Sequence, residues 1–302
     1  MKNRVRLPNF VVIGAPKCGT TSLYYYLRQH PDIYLPERKE LHYFSYEHMK
    51  RLVGGPGDAH ILSTVCQNRG TYEQFYSAVR NEHAVGDISP SYFYFADVSE
   101  RIKTELDSPK IVILIRNPIQ KAFSQYMHLI RDNRESLGFF DALLAEKQRI
   151  AQGWAALWRY AESSIYTPRI EKYLSVFGSN RVKIIRFEDL TTACYATLED
   201  LFRFLEVDPS FRPDVSQTYN RSGKPRLRFV ADFIAKPNVI TSVARKLLPE
   251  ATTTSLKNTL RRLNTGKKAE IEDSAQGYLR DYFEDDIAKL DALLQTRLDW
   301  LK

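Results

Sequence analysis

Short runs of β-branched and aromatic residues recur along the chain, each followed by a stretch whose apolar residues return every three or four positions. Asn9–Gly14, Ile111–Arg116 and Val182–Phe187 have the length and the Val/Ile content of buried strands. Helical periodicity follows over Thr20–His30, from Pro118 to about Asp132, over Ser164–Phe177 and over Tyr195–Leu205. Strand alternating with helix predicts an α/β fold, a single domain with a central parallel sheet flanked by helices. Gly54–Gly57 marks a loop between elements. Residues 1–8 read as an N-terminal tail. After Asn220 the character changes, and residues 220–302 read as a basic, mainly helical part that ends in an amphipathic helix around Ala275–Leu294. There is no internal repeat and no low-complexity tract.

The first predicted strand runs into the most informative segment, GAPKCGTTS, Gly14–Ser22. Gly14 and Gly19 have the spacing of a turn whose backbone N–H groups cradle an oxyanion at the start of a helix. Phosphate or sulfate is the expected guest. A nucleoside triphosphatase would carry Lys directly after the second Gly, followed by a metal-binding Ser or Thr. Here that position is Thr20, and the loop's lysine is Lys17, so magnesium-dependent triphosphate chemistry is disfavoured. The plain alternative is a strand-to-helix turn with no ligand.

Composition narrows the classes further. The chain has 302 residues, a net charge of +8 and 43% hydrophobic residues. That is enough for a full core, and the charge suits an anionic ligand, a polyanionic acceptor or nucleic acid. Cys18, Cys66 and Cys194 are too few for a disulfide framework and lack metal-ligand spacing, which favours a reducing compartment. No apolar run approaches the roughly 20 residues needed to span a bilayer. Pro8, Gly14, Pro16 and Lys17 interrupt any signal-peptide core. The expectation is a cytoplasmic protein.

A second constellation closes the strand IVILI. Arg116 stands where strand meets loop, Pro118 suits the first position of a helix, and Ser124 falls about two turns later. In doubly wound sheets the carboxyl ends of the strands line the ligand crevice, which brings Arg116 near the Gly14–Gly19 loop. An arginine fork with a serine hydroxyl suits a phosphate. Taken alone, the pair reads as a salt-bridged arginine and a helix-surface serine.

Four ordered motifs then carry a resemblance: GAPKCGTTSLYYYLRQHPDI, LPERKELHYF, GDISPSYF and ILIRNPIQKAFSQYMH. Together they resemble the PAPS-dependent sulfotransferases, in particular the carbohydrate and heparan-sulfate branch and its bacterial relatives. The match covers about Asn9 to Leu205, with a looser echo in NRSGKPR and in the C-terminal LDW. The resemblance implies a P-loop, nucleotide-kinase-like sheet and the donor 3′-phosphoadenosine 5′-phosphosulfate (PAPS), without a metal. It places Lys17, Cys18, Gly19, Thr20, Thr21 and Ser22 on the 5′-phosphosulfate and Arg116 with Ser124 on the 3′-phosphate. Lys224, Pro225 and Arg226 would close over the nucleotide. Glu40 takes the place of the branch's base, and His128 that of a histidine near the sulfuryl group. One departure stands out: several relatives have lysine where this chain has Ile88.

The chemistry agrees with those assignments. Sulfuryl transfer to an alcohol needs in-line positioning, a carboxylate to take the acceptor proton and a cation on the leaving oxygen. Glu40 and Lys17 supply the last two. The plainer readings are a solvated turn for Glu40 in PERKE, local hydrogen bonding for His42 and His128, and a turn cap for Asp87 before Pro90. Cys18 reads as a loop residue, because no arginine stands where a cysteine phosphatase needs one. The expected acceptor is a hydroxyl of a sugar or glycosylated metabolite; a non-carbohydrate alcohol or an amine is the alternative. A P-loop nucleotide kinase and a non-enzymatic polyanion or nucleic-acid binder, drawing on Arg221–Arg228 and Arg245–Lys268, are the distant ones. No nucleic acid is expected as a partner. Whether the chain forms a homodimer, and what Met49–Gly70 and Leu137–Arg159 bind, no motif decides.

Overall fold

In the computed structural model, residues 5–216 and 270–301 are described. Five strands form one parallel sheet: β1 Phe10–Gly14, β2 Ile33–Tyr34, β3 Ala84–Ile88, β4 Lys110–Ile115 and β5 Val182–Arg186. Their order is β2-β3-β1-β4-β5, so β1 is central and its C-terminal end opens onto the middle of the sheet edge. Every residue of β1 and β3 is buried, as are Ile111–Ile115 of β4. That burial on both faces is why β1 and β4 read as continuous apolar runs rather than alternating ones.

The helices of eight residues or more among the described residues are α1 Thr20–Leu27, α2 Val98–Glu105, α3 Pro118–Arg131, α4 Thr167–Phe177, α5 Cys194–Leu205 and α6 Asp273–Leu294. Helix α1 stops short of the expected His30. Helix α6 begins two residues earlier than expected and packs against α3 and α4 through Ala275, Leu279, Phe283, Ile287 and Leu290. Its buried Asp286 accepts the backbone N–H groups of Tyr166 and Thr167 at 2.7 and 3.0 Å and so caps the start of α4. At the far end, Trp300 O accepts from Asn117 Nδ2 at 2.6 Å, while Asn117 Oδ1 caps Ile119 and Gln120 of α3. The C-terminal helix is thereby tied to the helix that carries Ser124 and His128.

Strand β3 escaped the sequence pattern. It reads AVGDI, and its Gly86 stands opposite Phe10 of β1. A Cβ at Gly86 would lie 2.2 Å from the Phe10 ring, so the small residue is what lets that ring pack across the sheet. Lys224, Pro225 and Arg226, with the basic segments Arg221–Arg228 and Arg245–Lys268, lie outside the described residues.

Candidate active site

The loop after β1 is shaped by two glycines and one strained lysine. Gly14 has φ +136° and Gly19 φ +94°, and a Cβ on either would come within 3 Å of Phe93 or Phe187. Lys17 also adopts a left-handed backbone, at φ 68°, a costly choice for a non-glycine residue and one that clusters at functional sites. Ala15 N–H donates to Leu114 O at 2.7 Å, which pins the loop to β4. Gly19 is the N-cap of α1 and offers no side-chain cap, so the first-turn amides of Thr20, Thr21 and Ser22 open toward the cavity.

That cavity has a volume of about 400 Å³ and is lined by Lys17, Gly19, Thr20, Thr21, Ser22, Glu40, Arg116, Ser124 and His128 among others. Residues far apart in sequence thus share one space. Arg116 stacks on the Phe187 ring at 4.5 Å and donates through Nη1 to Lys17 O at 3.3 Å. Tyr166 Oη accepts from Arg116 N–H at 3.2 Å and donates to Arg116 O at 2.8 Å. The arginine is held from behind while its fork lines the cavity.

Glu40 also lines the cavity, and its side chain is 43% exposed. Its N–H donates to Ile88 O at 3.2 Å, so β3 sets its position. Glu40 and His42 both have left-handed backbones, φ 66° and 56°. His42 Nε2 lies 3.6 Å from Glu40 Oε2, and Lys39 Nζ pairs with Oε1. Burial opposes ionisation of Glu40, yet Lys39 and His42 outweigh it and hold the carboxyl well below the usual range. Behind His42 runs a buried polar chain. Its N–H donates to Ser89 Oγ at 3.0 Å, and Ser89 donates to Asp87 Oδ1 at 2.6 Å. Tyr72 and Tyr92 donate to Asp87 Oδ2 at 3.0 and 2.8 Å. Asp87 is 1% exposed and does not line the cavity; it orients the Glu40–His42 turn.

His128 projects from α3 beside the loop. Lys17 Nζ lies 3.4 Å and Arg131 Nη2 2.9 Å from its Nδ1. Two cationic donors on one nitrogen make Nδ1 the acceptor and put the ring proton on Nε2, 3.5 Å from Asp132 Oδ2. Burial, with the charges of Lys17 and Arg131, pushes the imidazole well below its ordinary value, so it is neutral. Burial, then the Arg131 charge, lowers the Lys17 ammonium to about 8.

Cys18 departs from the expected anion cradle. Its side chain is buried, its Sγ lies 3.6 Å from both Pro16 O and Tyr166 Oη, and its N–H is donated to Ala15 O. Burial raises the thiol to about 11. Ile88, at 3% exposure, packs in the core instead of facing the cavity. Arg131, Arg134, Asp58 and Phe187 line the cavity and were not singled out from sequence. Arg131 had a signal, since it lies one helical turn beyond His128 on the same face. Among the described residues no three His, Cys, Asp or Glu side chains are grouped to hold a metal ion, and no helix is long and apolar enough to cross a membrane.

The fold is thus a parallel α/β sheet whose central strand ends in a glycine-bent loop and a helix without a side-chain cap, beside a lysine, an arginine and a carboxylate. The sulfotransferase family profile matches residues 8–212, and the chain belongs to that family. A crystal structure of a sulfotransferase from Alicyclobacillus acidocaldarius is 32% identical, with a TM-score of 0.77 over 98% of this chain and 99% of that one. Mouse sulfotransferase SULT7A1, solved in complex with PAP, shares the fold at 14% identity and a TM-score of 0.52, over 95% and 87% of the two chains. Among curated proteins, human carbohydrate sulfotransferase 15 is 24% identical over 67% of this chain and 44% of its own length. The membrane-associated sulfotransferase kil1 of Dictyostelium discoideum is 32% identical over 40% of this chain and 22% of its own. The chain thus spans less than half the length of the curated relatives it matches.

Proposed function

We propose that the protein transfers a sulfuryl group from PAPS to an acceptor hydroxyl. The observation that carries this reading is the convergence of Lys17, the α1 N-terminus, Arg116 and Glu40 on one cavity. The donor set fits the nucleotide: backbone amides of Gly19–Ser22 with Lys17 for the 5′-phosphosulfate, the Arg116 fork with Ser124 for the 3′-phosphate. Bound there, PAPS supplies the activated sulfuryl group.

Glu40 accepts the hydroxyl proton as the acceptor oxygen bonds to sulfur and the bond from sulfur to the bridging oxygen breaks. Lys17 and the helix amides stabilise the charge left on that oxygen. Lys39 and His42 keep Glu40 ionised, so the carboxylate is in the form that accepts a proton. His128 has no unoccupied basic nitrogen, so it acts as a positioning residue that aims Lys17. Relatives named for carbohydrate or heparan sulfate support a sugar hydroxyl, and the outer wall of the cavity supports an apolar alcohol instead.

The test is Glu40→Gln. Sulfation with labelled PAPS should fall roughly 10²- to 10⁴-fold, while calorimetric binding of adenosine 3′,5′-bisphosphate stays within about threefold. Near wild-type turnover would remove Glu40 as the base.

A further inference from the structure

Beyond the loop and Glu40, the cavity changes character. Its outer wall carries Met49, Leu52, Ile61, Leu62, Phe95 and Leu157. Ile61, 41% exposed, carries this apolar wall out to the surface. The polar groups in this part are already engaged. Arg134 donates to Pro56 O at 2.6 Å and pairs with Asp58. Asp58, 3% exposed, also accepts from Gly55 N–H and Ala155 N–H at 2.9 Å and from Trp158 Nε1 at 3.0 Å. Tyr94 donates to Gln125 Oε1 at 3.1 Å, and Ser91 lies 2.6 Å from both His42 Nδ1 and Ser45 Oγ.

From this wall we infer that the acceptor is an alcohol carried on an apolar body, seated between the 49–62 flap and Leu157 with its hydroxyl toward Glu40. The inference rests on the sulfotransferase reading above. A sugar ring presents a hydroxyl on nearly every carbon and needs unengaged donors and acceptors around it; burying it here would leave its polar groups unpaired. Asp58 ties the flap to the 155–158 segment through two donors, Ala155 N–H and Trp158 Nε1, and to Arg134 through a third, so the apolar wall is formed before the acceptor arrives, which lowers the ordering cost of binding. Asp58 is therefore a positioning residue, and Ile61, Leu62 and Leu157 determine specificity.

The experiment is a sulfation assay with labelled PAPS against linear primary alcohols of increasing length, phenyl-substituted alcohols, methyl glucosides and a desulfated heparan oligosaccharide. Wild type and Ile61→Asp are compared, each first titrated with adenosine 3′,5′-bisphosphate. Each added methylene should raise kcat/KM about fourfold until the wall is covered. Ile61→Asp should cost about tenfold on the best apolar alcohol and leave bisphosphate binding unchanged; Ile61 is exposed, so the variant folds. A flat response to chain length, or glucosides or the oligosaccharide outperforming every apolar alcohol, overturns the inference even with bisphosphate binding intact. Sulfation of nothing in the panel overturns it equally. Loss of bisphosphate binding by the wild-type protein would instead sink the donor site itself.

Discussion

Raising the pH from 7 to 9 should weaken binding of adenosine 3′,5′-bisphosphate about tenfold by removing the proton from Lys17. The ligand's phosphates are fully ionised above about pH 7, so the window isolates the protein. In the free protein Lys17 titrates at about 8, because burial and the neighbouring Arg131 charge disfavour its ammonium. A bound phosphate reverses that balance, and the complex holds the lysine charged. The sign follows directly: below pH 8 the proton is already present, whereas above it each complex must take one up. A neutral fraction of about 0.1 at pH 7 and 0.9 at pH 9 gives that tenfold loss and a proton uptake of about 0.9 per complex at pH 9. Calorimetry in two buffers of different ionisation enthalpy reads both quantities at once. Lys17→Arg, whose guanidinium stays charged, should flatten the profile. An affinity unchanged from pH 7 to 9, with no proton uptake, would refute both the depressed lysine and its contact with the anion.

Arg116→Ala should weaken adenosine 3′,5′-bisphosphate binding by about 10- to 100-fold and adenosine 5′-monophosphate far less; equal losses would remove the 3′-phosphate from Arg116. Gly19→Ala should destabilise the protein by about 1–3 kcal/mol, because its φ of +94° and the Phe187 contact at 2.9 Å leave a Cβ no room. Urea denaturation checks this, and an unchanged midpoint would contradict the loop geometry. Asp58→Ala strands Arg134, Trp158 Nε1 and two amides at a local cost of about 3–5 kcal/mol. Hydrogen exchange across residues 49–62 should accelerate accordingly, and unaltered protection would show that the flap is held by something else.

The sequence by itself determined strands β1, β4 and β5 and which residues stand at the ends of β1 and β4. Strands β1 and β4 announce themselves because burial on both faces demands unbroken apolar runs, and the edge strand β5, only partly buried, through its Val182, Ile184 and Ile185; each observed boundary lies within one residue of the expected one. Lys17, Gly19 and Arg116 were legible for a related reason: a loop that turns tightly at a strand end, and an arginine that follows a buried strand, each leave a local signature. Strand β3 left none, since Gly86 answers to the Phe10 ring in the neighbouring strand rather than to its own neighbours in sequence. Likewise, Asp87 in sequence is a turn residue before a proline, and only packing brings Tyr72, Tyr92 and Ser89 to it. Tertiary structure alone also decided that His128 has its basic nitrogen occupied, and that Asp58 fastens the flap through a tryptophan 100 residues away. Strand propensity and turn geometry act between neighbours in sequence, whereas tautomers, buried carboxylates and cavity walls depend on which distant groups the fold brings within hydrogen-bond reach.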